Sequence, residues 1–130
     1  MIEVLNELKP ERQVLIVDDA FDVRVMLKEI LKLHPIESID EAARLKEAET
    51  KLNHFDYQLI FMDIQLNEDN GLEALKQIKR ANPHSKVVMI SAYSTADNVR
   101  QALISGADGF IVKPFTIKKV ENILKKVGLT

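Results

Sequence analysis

The chain of 130 residues contains no cysteine, which removes both a disulfide framework and any thiolate metal site and fits a reducing compartment. It also lacks a dominant charge, since 20 acidic and 18 basic side chains leave a net charge of −2. No strong field is available to hold a polyanion, so nucleic acid is not expected as a direct partner. Long hydrophobic runs are absent too. Met1 to Arg12 interrupts its apolar residues with Glu3, Glu7, Lys9 and Glu11, so it holds no signal-peptide core, and no segment is long enough to span a bilayer. The expectation is a cytoplasmic protein without a membrane partner. Proline is sparse: Pro10, Pro35, Pro83 and Pro114 all fall at joints between the patterns described below. No repeat or low-complexity stretch occurs.

What is present is enough apolar material, 46% of the residues beside 29% charged, for one compact domain with a single core. Four short runs, Val14-Leu15-Ile16-Val17, Leu59-Ile60-Phe61-Met62, Val87-Val88-Met89-Ile90 and Gly109-Phe110-Ile111-Val112, suit strands covered on both faces. Between them lie helical stripes: Val23, Met26, Leu27, Ile30 and Leu31; Leu72, Leu75 and Ile78; Val99, Ala102 and Leu103; Ile117, Val120, Leu124 and Val127. A weaker pair, a strand near Ile36 to Ile39 and a helix carrying Leu45, Ala48 and Leu52, precedes Asp56. Gly106 and Gly128 stand where two helices should end. The order is strand then helix, five times over. Such alternation implies parallel strands with right-handed crossovers and helices on both faces, an α/β sandwich. Met1 to Arg12 is set apart as an N-terminal extension, a frayed arm or an extra helical turn, and residues 13–130 form the domain.

Each clear strand ends in a residue foreign to a core: Asp18 and Asp19, Asp63, Ser91, and Lys113. In an open parallel sheet the carboxyl ends form one edge where ligands bind, so these side chains should converge. Singly, Asp18, Asp19 and Ser91 also suit helix caps, and Lys113 an exposed turn. Asp63 is harder to explain as a cap, because Ile64-Gln65-Leu66 separates it from the next helix. Three neighbouring carboxylates raise one another's pKa unless a cation joins them, and a hard divalent ion such as Mg²⁺ fits. Lys113 adds one positive charge. A carboxylate in such a site can attack phosphorus and become an acyl phosphate without a general base. None is obvious: His34, His54 and His84 lie near helix ends on the other side of the alternation and read as satisfied surface histidines.

With Val17-Asp18-Asp19, Met62-Asp63-Ile64, Gly71, Ser91-Ala92, Gly106-Ala107 and Lys113-Pro114-Phe115 at their spacing, the chain resembles the receiver domain of two-component response regulators from Gln13 to Gly128. The resemblance implies a single doubly wound five-stranded parallel sheet, flavodoxin-like, with strand order 2-1-3-4-5. It implies Asp63 as phosphoacceptor, fed by a sensor histidine kinase or a histidine phosphotransfer protein. Asp18, Asp19, Asp63 and the carbonyl of Gln65 would bind Mg²⁺. Ser91 and Lys113 would hold the phosphoryl group, and the Lys113-Pro114 bond would be cis. Phe110, otherwise readable as a core residue of the fifth strand, becomes the switch aromatic that answers Ser91.

The output surface would run over the fourth helix, fifth strand and fifth helix, roughly Ser94 to Val127, toward a downstream protein or a phosphorylation-dependent dimer. Arg100, Lys118, Lys119, Lys125 and Lys126 on these helices read as a solvated face rather than as a dock for an acidic partner.

Two departures stand out. Leu66-Asn67 replaces the family's common Met-Pro, which loosens the loop after Asp63. Gln65 and Tyr93 occupy variable positions flanking the path of attacking water, and Tyr93 is expected to shield an acyl phosphate. The family resemblance points to a stand-alone regulator of the chemotaxis or phosphorelay-intermediate kind, since no effector is encoded between Met1 and Thr130. The alternatives are a receiver module of a longer regulator with a DNA-binding or enzymatic output, a Mg²⁺-dependent phosphohydrolase with an aspartyl nucleophile, and an unphosphorylated binding module. Asp63-Ile64-Gln65 lacks the second carboxylate such a hydrolase needs to protonate a leaving group.

Overall fold

The computed structural model of the chain describes residues 9–66, 69–93 and 95–130. The apolar runs become strands β1 (Glu11–Val17), β3 (Asp56–Asp63), β4 (Lys86–Ser91) and β5 (Gly109–Val112), with β2 at Ile39–Ala42. They alternate with helices α1 (Phe21–Leu31), α2 (Leu45–His54), α3 (Gly71–Ala81), α4 (Ala96–Ile104) and α5 (Ile117–Lys126). All five strands are parallel, in the order β2-β1-β3-β4-β5.

The alternation of strand side chains sorts the core into two layers. On one face Val14, Ile16, Leu59, Phe61, Val88, Ile90 and Ile111 pack with Leu27, Ile30 and Leu31 of α1 and Val120, Ile123 and Leu124 of α5. On the other, Leu15, Val17, Ile60, Met62, Val87 and Met89 meet α2, α3 and α4 through Leu52, Leu75, Ile78 and Ala102. The middles of the central strands, residues 14–17, 59–62 and 87–90, are continuously apolar because both of their faces are covered.

Two strand boundaries differ from the sequence expectation. The second strand lies at Ile39–Ala42, three residues later than Ile36 to Ile39. Ile36 is a buried plug in the turn, its N–H donating to the His34 carbonyl. The strand itself carries Asp40 and Glu41, tolerable at a sheet edge because Arg12 pairs with Asp40 and both Arg24 and Lys28 pair with Glu41. The first strand begins at Glu11, so Glu11 and Arg12, expected in the extension, pair with Asp56 and Tyr57. The extension's first eight residues lie outside the described residues, as do Asn67 and Ser94.

Between β3 and α3 the chain forms a small antiparallel ribbon, Gln65–Leu66 against Asp69–Asn70. Asn70 then caps α3, its side-chain oxygen accepting from the N–H groups of Leu72 and Glu73. Gly71 is required at the junction, since a Cβ there would lie 2.3 Å from the Ile64 carbonyl oxygen. Gly106 and Gly128 take positive φ after α4 and α5.

Of the histidines, His84 is exposed before β4, and His54 Nδ1 sits 2.8 Å from the Thr50 carbonyl. His34 departs from the satisfied surface reading. Its Nε2 is buried without a hydrogen-bond partner, 4.0 Å from Glu121, because α5 closes over the end of α1 there.

Candidate functional site

Register brings the strand ends together. Val17 lies opposite Met62, Asp63 opposite Ile90 and Ser91 opposite Val112. The ladder continues one residue further, where the N–H groups of Asp18, Ile64 and Lys113 donate to Ala42, Ile90 and Ser91. The residues that follow β1, β3 and β5 therefore share one edge of the sheet.

There the carboxylates of Asp18, Asp19 and Asp63 offer oxygens that all lie within 4.8 Å of one another. Asp18 is fully buried, Asp63 is 6% exposed and Asp19 is open to solvent. Lys113 Nζ donates to Asp63 Oδ2 at 2.9 Å and stands 2.8 Å from Asp18 Oδ2. The two remaining oxygens accept from the backbone: Asp18 Oδ1 from Ala20 N–H at 2.8 Å and Asp63 Oδ1 from Gln65 N–H at 2.9 Å. Neither aspartate caps a helix: α1 begins after Ala20 with no side-chain cap, and Thr95 and Thr116 cap α4 and α5.

Burial pushes the Asp18 carboxyl above the usual range, and the charge of Asp63 adds to this, against the nearby Lys113 ammonium and the Ala20 N–H. Burial opposes the charge on Lys113, but the paired carboxylates of Asp18 and Asp63 outweigh it and hold its pKa above the ordinary lysine value. Asp18 Oδ2 is buried and, despite the nearby ammonium, has no hydrogen bond of acceptable geometry. That orphaned oxygen, within an all-oxygen set of three carboxylates, fits a hard divalent cation. A crevice of about 330 Å³ lined by Asp19, Asp63, Gln65, Ala92 and Lys113 opens in front.

The structure thus gathers Asp18, Asp19, Asp63 and Lys113, with Gln65 at the rim. Ser91 ends the neighbouring strand but is nearly buried, and its hydroxyl oxygen accepts from Tyr93 N–H at 3.0 Å. Tyr93 is 57% exposed. Phe110 is half-buried against the face covered by α2, α3 and α4. The Lys113–Pro114 bond is cis.

The sequence reading passed over one residue at the site. Arg24 reaches it from behind, donating from Nη1 to the Asp18 carbonyl at 2.7 Å. The only trace of this in the sequence is a basic residue beside Val23 in an otherwise apolar stripe.

The profile of the family described as "Response regulator receiver domain" matches residues 14–125. The chain is similar to "Chemotaxis protein CheY" of Thermotoga maritima, 39% identical over 117 residues that make up 90% of this chain and 98% of that protein. It is similar also to "Response regulator protein VraR" of Staphylococcus aureus, 34% identical over 89% of this chain but 56% of that protein. Among solved structures, a response regulator from Thermotoga maritima superposes with a TM-score of 0.82 at 28% identity, over 92% of this chain and 98% of that one.

Proposed function

Because the chain belongs to the response regulator receiver domain family, we propose that it accepts a phosphoryl group on Asp63 in a Mg²⁺-dependent reaction and signals through the face of α4, β5 and α5. A receiver domain is a signalling domain, not an enzyme with turnover of its own. The observation that carries the reading is a nearly buried Asp63 with one oxygen on Lys113 and two further carboxylates beside it.

An Asp63 oxygen forms a bond to phosphorus as the P–N bond of a partner's phosphohistidine breaks, its electron pair leaving with the imidazole. A bound Mg²⁺ supplies charge neutralisation for the carboxylates and the phosphoryl oxygens. Asp18, Asp19, Asp63 and the Gln65 carbonyl are the groups that would hold it. Lys113, already charged and pointed at Asp63, pairs with a phosphoryl oxygen in a charge-assisted hydrogen bond. The Ser91 hydroxyl, which now accepts from Tyr93 N–H, donates a hydrogen bond to the phosphoryl group. Phe110, half-buried, turns inward with it. Gln65 and Tyr93 set how easily water reaches the acyl phosphate.

The donor is a sensor histidine kinase or a histidine phosphotransfer protein, and the reader is a protein, in keeping with the near-balanced charge of the chain. Cytoplasmic action is part of the reading, supported by the absence, among the described residues, of any helix long and apolar enough to cross a membrane. Stand-alone action is supported by the near-complete coverage of the chemotaxis protein. The partial coverage of VraR supports the second reading, a receiver module of a longer regulator.

The test is intact mass after incubation with Mg²⁺ and a small phosphodonor, comparing the chain with Asp63→Asn. One phosphate adduct on the parent and none on the variant is expected. An unmodified parent, under conditions that preserve acyl phosphates, would end the proposal.

A further inference from the structure

The turn that carries Asp18 and Asp19 leaves the sheet held by one ladder hydrogen bond, from Asp18 N–H to the Ala42 carbonyl at 3.1 Å, and by the Ala20 N–H that donates to Asp18 Oδ1 at 2.8 Å. A further tie, on the Asp18 carbonyl itself, comes from α1. Arg24 donates from Nη1 to the Asp18 carbonyl at 2.7 Å and from Nε to Glu41 Oε1 at 3.2 Å. Its guanidinium also lies 5.6 Å from the centre of the Phe21 ring. The side chain is only 13% exposed, so this is an enclosed arrangement and not a loose surface pair. Glu41 is held in turn, its other oxygen accepting from Lys28 Nζ at 2.9 Å. It stands on β2 opposite Ile16, two residues before Asp18. A guanidinium presents its donors in one rigid plane and can serve a carbonyl and a carboxylate together, which an ammonium on a flexible stem does not do with the same geometry.

We propose that Arg24, clamped by Glu41, is a positioning residue of the cation site, pinning the Asp18 backbone so that the carboxylates of Asp18 and Asp19 stay turned toward Asp63. The inference rests on the proposed Mg²⁺-dependent reading of that site. It gives a role to the charges of β2, which link the edge strand through α1 to the acidic turn.

The experiment titrates Mg²⁺ alone into the whole chain by calorimetry, comparing the parent with Arg24→Lys and Glu41→Gln. Loss of such an orienting partner weakens metal binding by about tenfold, and that is the expected result for Arg24→Lys. Glu41→Gln should weaken it in the same direction, and the double variant should be no weaker than Arg24→Lys alone, because the two act as one unit. With a small phosphodonor, the Mg²⁺ concentration for half-maximal phosphorylation should rise by the same factor, while the rate at saturating Mg²⁺ is retained. A merely structural ion pair would lower the unfolding midpoint and leave the metal requirement where it was.

Folded variants that bind Mg²⁺ within about twofold of the parent overturn the inference alone. Should Arg24→Lys fail to fold, Glu41→Gln decides by the same criterion. A parent that binds no Mg²⁺ overturns the phosphoacceptor reading, and this inference with it.

Discussion

Lys113 faces two carboxylates that it cannot serve equally. Its Nζ donates to Asp63, while Asp18 Oδ2, equally near, is left without an aligned donor. The two acids are therefore unequal before any ligand arrives. Asp18 keeps an unused lone pair in a dry environment, and Asp63 faces the crevice with its charge compensated. That these residues share one sheet edge was legible in the sequence, because polar residues after apolar strands mark it; the inequality between the two acids was not. Arg24 was not legible, because its target is a backbone carbonyl, and no residue type records where a carbonyl will point. Tyr93 yields a prediction at this scale. It follows Ala92 of the crevice lining and exposes most of its ring, so Tyr93→Ala should speed loss of phosphate from the modified chain several-fold. The decay of the phosphorylated mass with time measures it, and an unchanged rate contradicts the shielding role.

At the scale of elements, visibility tracked burial. The runs in β1, β3, β4 and β5 announced themselves because sheet and helices cover both sides of them. At β2 the pattern misled, since its apolar neighbour Ile36 fills the core from a turn while the strand itself is half charged. Its place is set by partners on other elements, Arg12, Arg24 and Lys28, which no local window contains. The ribbon between β3 and α3 escaped notice for a related reason, being two residues on each side. It nevertheless fixes how α3 begins, through the close approach of Gly71 to the Ile64 and Asp63 carbonyls. Gly71→Ala forces that approach open and should cost about 1–3 kcal/mol, the usual penalty for overpacking a tight site. Urea unfolding reads the loss. A variant as stable as the parent would mean that the junction yields without strain.

For the whole molecule, a second set of shifted groups lies away from Asp63, toward the opposite end of the sheet. Arg12 grips both oxygens of Asp40 at 2.7 and 2.8 Å, and the Tyr57 hydroxyl donates to the same carboxylate at 2.6 Å. Burial works against the charged Asp40, yet Arg12 and Tyr57 prevail and hold its carboxyl below the usual range. Burial and the Asp40 partnership push the Tyr57 hydroxyl upward. A carboxyl depressed in the folded state contributes stability that is complete above its unfolded pKa and is lost as pH falls through the folded value. Asp40→Asn should therefore be less stable than the parent at neutral pH by about 1.5–3 kcal/mol, the worth of hydrogen bonds to a charged group. The gap should begin to close below about pH 4, where an unfolded aspartate protonates. Denaturant midpoints at pH 7 and pH 3 give the comparison, and a gap of the same size at both would refute the linkage.

The ladder that carries Asp18, Ile64 and Lys113 one step beyond their strands also has a temporal meaning. Lys113 comes from the last strand and meets carboxylates that were synthesised 95 and 50 residues earlier. Contacts so distant along the chain carry a loop-closure cost that near ones do not. On the ribosome, a growing chain that already displays both aspartates still lacks the cation that completes their cluster. The completed charge cluster thus arrives only with the finished fold: a chain that stops before Lys113 carries both aspartates without the ammonium that pairs with Asp63.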